Sequence, residues 1–197
     1  LSTTSKVDGG RQIFCPQSLF KFHPGFDRIL GMILGQCPEA KLILLEGNHP
    51  TWTKILRERL TRSIPQVVDR VYFASRTDRR GFMNLLASVD VILDPIHFSG
   101  GITTFEALSV GTPVVTLPST FMRGRVSLGF YTKMRVTDCV ASDELEYVEL
   151  SVRLVNDRRW NKEMRQKILE AKSAIFESTD AINQHIRFFD NASTYVE

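Results

Sequence analysis

The sequence predicts an α/β fold, a Rossmann-like three-layer domain with a mainly parallel sheet, helices on both faces and a helical C-terminal tail. The 197 residues are 43% hydrophobic and 24% charged, which is ordinary for a globular protein with one sizeable core. Short apolar runs rich in β-branched residues alternate with helical patterns, as in a parallel sheet covered by helices. From Ser142 onward only helical periodicity remains.

The predicted strands are the short apolar runs at residues 12–15, 41–45, 68–73, 91–93, 113–117 and 138–141. Apolar residues at helical spacing separate them, in the stripes Phe26, Ile29, Leu30, Ile33, Leu34, Cys37, then Trp52, Leu56, Leu60, then Phe82, Leu85, Leu86, Val89. Two further stripes follow in the tail: Trp160, Met164, Ile168, Ala171, Ile175 and then Ile182, Ile186, Phe189. Every stripe is expected to face the core.

The chain divides into a polar leader and one domain. Residues 1–11 have the composition of a flexible leader, residues 12–197 form the Rossmann-like domain, and its helical tail covers about 142–192. The sequence begins with Leu rather than Met, so we expect that something upstream is missing.

Composition excludes several classes of function. The formal net charge is +3 and the basic residues are spread out, so nucleic acid is not an expected partner. No apolar run approaches the roughly 18 to 20 residues that span a bilayer, so no membrane is expected either. Three widely spaced cysteines indicate neither a disulfide framework nor a zinc site. We therefore expect a reducing, cytoplasmic compartment and no bound metal.

In an open parallel sheet, ligands bind at the carboxyl ends of the strands. The most informative loop there is L-D-P-I-H-F-S-G-G-I-T-T-F-E-A-L, in which Gly100 and Gly101 precede a helix expected to start at Thr103 or Thr104. The free N–H groups of such a helix start suit a diphosphate, and residues 100–104, including Ile102, form this candidate site.

Glu106 lies one turn inside the same helix, where its carboxylate could accept hydrogen bonds from a ribose diol. A plainer interpretation is also open. The two glycines would then form an ordinary turn, one of the two threonines would be an N-cap, and Glu106 would belong to a capping box.

Two other loops carry candidates. After the first strand, Gln17, Ser18 and Lys21 precede His23, which we interpret as a helix-entry residue. Lys21 could neutralise a leaving diphosphate or be an ordinary surface lysine.

After the third strand, the candidates are Thr77, Arg79 and Phe82; a base could lie against Phe82, with Arg79 over it or near a phosphate. The alternative is a polar loop with Phe82 facing the core. A further segment, Arg123-Gly124-Arg125, is expected to be a solvated loop.

Three segments in this order, P-Q-S-L-F-K-F-H-P, L-D-P-x-x-F-S-G-G-x-T-T-F-E-A-L and G-T-P-V-V-T-L-P, resemble the catalytic C-terminal half of the O-linked N-acetylglucosaminyltransferase and SPINDLY-like family. The resemblance covers roughly residues 12–176. It implies a GT-B fold of two Rossmann-like domains facing a cleft, with this chain as the second half. It also implies an N-terminal GT-B half and tetratricopeptide repeats outside this sequence.

The resemblance also implies roles for single residues in the loops after the first and third strands. Lys21 matches a lysine that contacts the donor diphosphate. Ser18 falls where a glutamine usually sits, with Gln17 as its substitute. Arg79 matches a basic residue that contacts the nucleotide, and Phe82 a ring that stacks on the base.

In the glycine-containing loop, the resemblance assigns Thr103 to the phosphate-binding helix start and Glu106 to the ribose. Gly101 stands where the N-acetylglucosamine enzymes carry a histidine, which leaves the donor sugar and nucleotide open.

The resemblance implies transfer of a sugar from a nucleotide-sugar donor, UDP-GlcNAc-like and UDP- or GDP-linked, to Ser or Thr hydroxyls of a protein acceptor. The donor is a substrate and no cofactor is expected. The sequence has no D-x-D motif for a divalent metal and no identifiable general base. The alternatives are a non-catalytic GT-B-like interaction module and half of a nucleotide-sugar epimerase. A dinucleotide dehydrogenase is disfavoured, because residues 14–23 contain no G-x-G-x-x-G.

Overall fold

The structure is a computed structural model that describes residues 10–176 and 178–193. Its sheet is parallel throughout, and Ile13 in the central strand pairs with Leu42 on one side and Val91 on the other. The order of the strands across the sheet is β3-β2-β1-β4-β5. The strands are β1 (Arg11–Cys15), β2 (Ala40–Leu45), β3 (Val71–Ala74), β4 (Val91–Leu93) and β5 (Val114–Val115).

Nine helices follow in chain order: α1 (Pro24–Gln36), α2 (Pro50–Ser63), α3 (Arg79–Ser88), α4 (Ile102–Ser109), α5 (Val126–Met134), α6 (Glu144–Asn156), α7 (Arg158–Ala171), α8 (Ser173–Phe176) and α9 (Asp180–Ser193), all counted within the described residues. The last four confirm the predicted helical tail. Side chains cap several helix starts; His23 accepts the Gly25 N–H at the start of α1, which confirms its role at helix entry.

The strand order places the helices on two faces of the sheet. Because crossovers between parallel strands are right-handed, α1 and α2 cover one face while α3 and α4 cover the other. The direction of travel reverses between β1 and β4, which are neighbours in the sheet. At such a switch point the loops after the two strands separate and leave a crevice at their carboxyl ends.

Two predicted strands differ from the structure. Residues 68–70 form a 3₁₀ turn before β3. The Arg70 guanidinium donates to the Leu34 carbonyl in the last turn of α1 and to the Cys37 and Ala40 carbonyls after it. Residues 138–141 form no strand, because their contact with the sheet is a single bridge between Thr116 and Val140.

The core contains the first predicted stripe in full, from Phe26 to Cys37. The prediction is wrong for the last stripe, since Ile182, Ile186 and Phe189 are 60%, 52% and 64% exposed. Helical spacing shows that a helix has an apolar face but not that the sheet lies against it. Trp52 is also exposed; it lies in the first turn of α2 and packs edge-on against Phe20.

The predicted leader falls almost entirely outside the described residues, which begin at Gly10. Arg11, assigned to the leader, is instead the first residue of β1 and lies 3.6 Å from the Asp90 carboxylate. Cys15, Cys37 and Cys139 are buried free thiols, as expected without a disulfide framework. None of the described helices combines the length and the hydropathy needed to cross a membrane.

Candidate functional site

A cavity of about 750 Å³ opens at the carboxyl ends of the strands, beside the switch point between β1 and β4. Its volume lies within the usual range of small-molecule sites. Loops after β1, β3, β4 and β5 contribute to its walls. All but two of the predicted site residues line it: Gln17, Ser18, Lys21, Thr77, Arg79, Phe82, Gly101, Ile102, Thr103 and Glu106.

Lys21 ends a short 3₁₀ turn, Leu19–Lys21, and its ammonium reaches across to the loop after β4. The Nζ atom donates to Gln17 Oε1 at 2.8 Å and to the Ser99 carbonyl at 3.1 Å. It also lies 4.4 Å from the centre of the Phe98 ring. Burial lowers the pKa of Lys21, and the charge of Asp94 opposes that shift. The cation is thus held at the corner where the sequence predicted an anion.

Gln17 connects the two loops that form this corner. Its side chain is buried, accepts from Lys21 and donates through Nε2 to the Thr103 hydroxyl. The loop after β1 is therefore tied to the first turn of α4. Ser18, the other residue considered for this position, precedes the 3₁₀ turn and is half-buried.

Helix α4 begins at Ile102, one or two residues earlier than predicted, with Gly101 as its N-cap. No side chain caps this helix, so neither threonine is an N-cap and Glu106 does not close a capping box. A Cβ atom added at Gly101 would meet nothing within 4 Å, so the approach to the helix start is open. The N–H groups of a helix's first turn have no partners inside the helix and are available to a ligand.

Gly100 and Thr104 do not reach the cavity, contrary to expectation. The Gly100 N–H donates inward to Asp94 Oδ1 at 2.6 Å. A Cβ atom there would lie 2.6 Å from Gln17 Nε2, so Gly100 is a packing requirement of the turn. Thr104 is 1% exposed, and its hydroxyl lies 3.1 Å from Ser127 Oγ. Both polar groups are already partnered within the protein.

Asp94 lies directly behind the turn and was not predicted as a site residue. It is 2% exposed and accepts hydrogen bonds from Ser99 Oγ at 2.6 Å, Gly100 N at 2.6 Å and Thr116 Oγ1 at 2.7 Å. Burial raises the pKa of this carboxyl, and the hydrogen bonds from its neighbours oppose the shift. The available signal was an acidic residue immediately after a fully apolar strand.

The loop after β3 closes the side of the cavity toward α4. Asp78 caps α3 by accepting from the Gly81 N–H at 2.8 Å, which orients the first turn. Arg79, 85% exposed, places its guanidinium 3.9 Å from the carboxylate of Glu106, which is 18% exposed. Phe82 agrees with both interpretations of its sequence position, a core residue and a wall of the site. Its ring packs edge-on against Phe14 in the core and also lines the cavity.

Sequence reasoning missed several lining residues, among them Arg76, Phe98, Ser99 and Val126. It also placed Arg123 in a solvated loop, whereas Arg123 lines the cavity and its carbonyl accepts from the Ser99 N–H at 2.7 Å. The position of Arg123 after β5 was the usable signal, because loops at the carboxyl edge form the site.

The charged side chains at the cavity are mostly cationic: Lys21, Arg76, Arg79 and Arg123, against Asp78 and Glu106. Such a wall favours an anionic ligand. Within the described parts of the chain, no group of three or more His, Cys, Asp or Glu side chains is arranged to hold a metal ion.

Comparison with known proteins gives a family match over most of the chain. Residues 7–184 match the model of glycosyl transferase family 41. A UDP-N-acetylglucosamine–peptide N-acetylglucosaminyltransferase of Giardia intestinalis is 28% identical over 83% of this chain and 11% of its own length. The probable UDP-N-acetylglucosamine–peptide N-acetylglucosaminyltransferase SPINDLY of Arabidopsis thaliana is 36% identical over 71% of this chain and 16% of its own length.

A solved structure shows the same fold. An O-GlcNAc transferase mutant of Thermobaculum terrenum superposes with a TM-score of 0.81 at 23% identity, covering 93% of this chain and 36% of that one. The sheet and helices described above are thus one Rossmann-like half of a GT-B fold. The chain spans a small part of the curated relatives that it matches, 11% and 16% of the two named above.

Proposed function

The chain belongs to glycosyl transferase family 41, and from this premise we propose that it is the half of a glycosyltransferase that binds the nucleotide-sugar donor. One observation carries the proposal. Lys21, from the loop after β1, lines one cavity at the switch point of the sheet together with the open start of α4 and Glu106 in the same helix.

The diphosphate, the ribose and the base of a nucleotide-sugar donor each have a matching wall. The diphosphate would lie between Lys21 and the first turn of α4, where a cation and free N–H groups meet. The ribose diol would donate to Glu106, whose carboxylate accepts hydrogen bonds. The base would lie against Phe82, with Arg79 above it or near a phosphate.

In the proposed reaction, the oxygen of an acceptor hydroxyl attacks the anomeric carbon of the sugar. The bond from that carbon to the diphosphate oxygen breaks, and its electron pair leaves with the nucleoside diphosphate. The hydroxyl proton passes to a base that we do not assign to this chain. Negative charge builds on the leaving group, where Lys21 and the N-terminus of α4 stabilise it without a metal or cofactor.

The finer features of the reaction follow the relatives. Their names support a UDP-N-acetylglucosamine donor and a peptide acceptor. We propose that Ser or Thr hydroxyls of that acceptor are the attacking groups. The open space at Gly101 leaves room for another donor sugar, and a GDP-linked donor is the alternative nucleotide. A second Rossmann-like domain, preceded by tetratricopeptide repeats, would face the cavity in the whole protein. The free thiols fit a reducing compartment, which supports a cytoplasmic location.

Calorimetric titration of this chain with UDP and with GDP tests the donor site. We expect one of them to bind at millimolar concentration or tighter. Lys21→Ala should weaken that binding at least about tenfold, the scale of one charge-assisted contact. Lys41→Ala is the matched control, because Lys41 also packs over a ring, that of Tyr72, but lies in β2 away from the cavity.

The proposal is wrong if the folded chain binds neither nucleotide at millimolar concentration, or if the two lysine variants weaken binding equally. Glu106→Ala separates the enzyme from a non-catalytic interaction module. A donor site loses nucleotide affinity in this variant, whereas a module without nucleotide affinity keeps its partner binding unchanged.

A further inference from the structure

We infer that Asp94 is a positioning residue for the donor site, whose buried carboxylate fixes the Ser99-Gly100 turn that presents Lys21 and the start of α4 to the ligand. The inference rests on the proposed function, since it concerns how the same cavity is built. Asp94 itself is 2% exposed and does not line the cavity, so it would act through the turn.

The Asp94 carboxylate lies between the sheet and the turn. Asp94 directly follows β4, and its backbone N–H donates to the Val115 carbonyl at 3.0 Å. Its carbonyl accepts from the buried Tyr147 hydroxyl at 2.9 Å. The backbone of Asp94 is therefore held from two sides, by β5 and by α6.

Hydrogen bonds join the Asp94 carboxylate to the turn. One oxygen accepts from the Gly100 N–H at 2.6 Å, and the other accepts from Ser99 Oγ at 2.6 Å and Thr116 Oγ1 at 2.7 Å. Two of these donors belong to the turn and the third to the segment after β5. The carboxylate thus fixes both the Ser99 side chain and the Ser99-Gly100 peptide.

A second layer of hydroxyls extends this hold to the helices. Ser127, at the start of α5, lies 2.9 Å from Ser99 Oγ and 3.1 Å from Thr104 Oγ1, and its N–H donates to Ser99 Oγ at 3.2 Å. These hydroxyls are all buried. Among the described residues, no buried side-chain polar atom lacks a partner, so the network is complete as it stands.

The turn is also connected to the two groups that face the ligand, the Lys21 ammonium and the start of α4. The carbonyl of Ser99 accepts from Lys21 Nζ at 3.1 Å, so the orientation of the Ser99-Gly100 peptide sets where the ammonium lies. The same peptide turns its Gly100 N–H inward to Asp94, and Gly101 then precedes α4 as its N-cap, with open space where a Cβ atom would lie. A shift of this peptide would move the cation and the helix start together.

Asp94→Asn separates geometry from charge. The amide oxygen can still accept from Gly100 N–H, and the amide nitrogen can donate to the hydroxyls of Ser99 and Thr116, which both accept hydrogen bonds. Ser99 keeps Ser127 Oγ as an acceptor for its own proton. This variant therefore retains the turn and removes the charge, while Asp94→Ala leaves three buried donors without their acceptor.

Thr116→Val is the matched control for stability. It removes one hydrogen bond from the same carboxylate, but on the side of β5 and away from the turn. Ser99→Ala removes a bond of the same type on the side of the turn, together with the contacts of Ser99 Oγ to Ser127. A carboxylate that only stabilises the fold would make nucleotide affinity follow stability in both variants.

The experiment measures UDP and GDP dissociation constants and melting temperatures for the wild type and these variants. We expect Asp94→Ala to weaken binding at least about tenfold, Ser99→Ala less, and Thr116→Val to lower the melting temperature without changing affinity. Asp94→Asn should bind within about threefold of the wild type. If Asp94→Ala does not fold, Ser99→Ala and Asp94→Asn decide.

Full affinity in Asp94→Ala or Ser99→Ala would overturn the inference, as would equal affinity losses in Ser99→Ala and Thr116→Val. A tenfold loss in a stable Asp94→Asn would also overturn it, by assigning the effect to charge rather than position. These results are distinct from a failure of the proposed function, in which the wild type itself binds neither nucleotide.

Discussion

Asp27 and Asp94 are each 2% exposed, yet the two carboxylates are satisfied in different ways. Asp27, in α1, receives two hydrogen bonds from the Arg59 guanidinium at 2.8 and 2.9 Å and one from Ser63 Oγ at 3.1 Å. The hydrogen bonds to Asp94 come from two hydroxyls and a backbone amide, which are neutral groups.

The difference follows from what each carboxylate holds. The Asp27–Arg59 pair joins α1 to α2 on one face of the sheet, so a contacting cation neutralises its charge in place. The Asp94 carboxylate holds a loop. Its negative charge also acts on Lys21, where it opposes the lowering of the lysine pKa by burial. One acid is a helix-to-helix tie, and the other shapes a binding corner.

The largest expected effect is that of Asp27→Ala on the free energy of unfolding. Asp27→Ala leaves the Arg59 guanidinium without its partner in a site that is mostly shielded. Breaking a buried pair costs about 3–5 kcal/mol; because Arg59 is 25% exposed, we expect about 2–3 kcal/mol. Thermal unfolding should show a melting temperature lower by about 5–10 °C. Nucleotide affinity should not change, and a parallel loss of affinity would show that the two regions are coupled.

A pH series sharpens the comparison at the other carboxylate. Burial raises the pKa of Asp94 above its ordinary value of 3.8, so the folded state holds this proton more tightly than the unfolded state does. Its contribution to stability is therefore lost as the pH rises from about 3.8 through the raised pKa. Asp94→Asn does not titrate, so its melting temperature should gain on the wild type across that window.

Scanning calorimetry at intervals from pH 4 to pH 8 would measure this difference. If the melting temperature of Asp94→Asn minus that of the wild type stays constant or falls with rising pH, burial does not disfavour the ionised carboxyl.

The smallest expected effect is that of Arg59→Lys. A lysine keeps the positive charge opposite Asp27 but cannot form the two parallel hydrogen bonds of the guanidinium. We expect a loss of about 1 kcal/mol, the net value of one hydrogen bond, in denaturant unfolding. An unchanged midpoint would show that charge alone, rather than the forked geometry, holds α1 to α2.

Much of the fold could be predicted from the sequence because its patterns are local. Short apolar runs indicated every strand of the sheet. The prediction of a further strand at residues 138–141 was wrong, because a segment that makes a single bridge at Val140 can have the same composition as a strand. The exposed stripe of Ile182, Ile186 and Phe189 failed for a related reason. Periodicity identifies an apolar face, and tertiary packing decides whether anything covers it.

The candidate site could be predicted less completely. Loops at the carboxyl ends of strands indicated Lys21, Thr103 and Glu106, which line the cavity together. The direction in which a backbone N–H points is not encoded in residue type, so Gly100 was assigned outward although its N–H faces Asp94. Asp94 itself was missed because a residue that acts from behind a loop has no ligand-binding pattern of its own.

The contact between Lys21 and the Ser99 carbonyl joins residues that are 78 positions apart in the chain. Neither loop can form it until β1 and β4 have paired, and β4 is separated from β1 by two complete strand-helix units. Closing such a long span is entropically costly and slow. The corner therefore depends on the long-range pairing of β1 and β4, and a nucleotide that binds it would stabilise the folded chain by mass action.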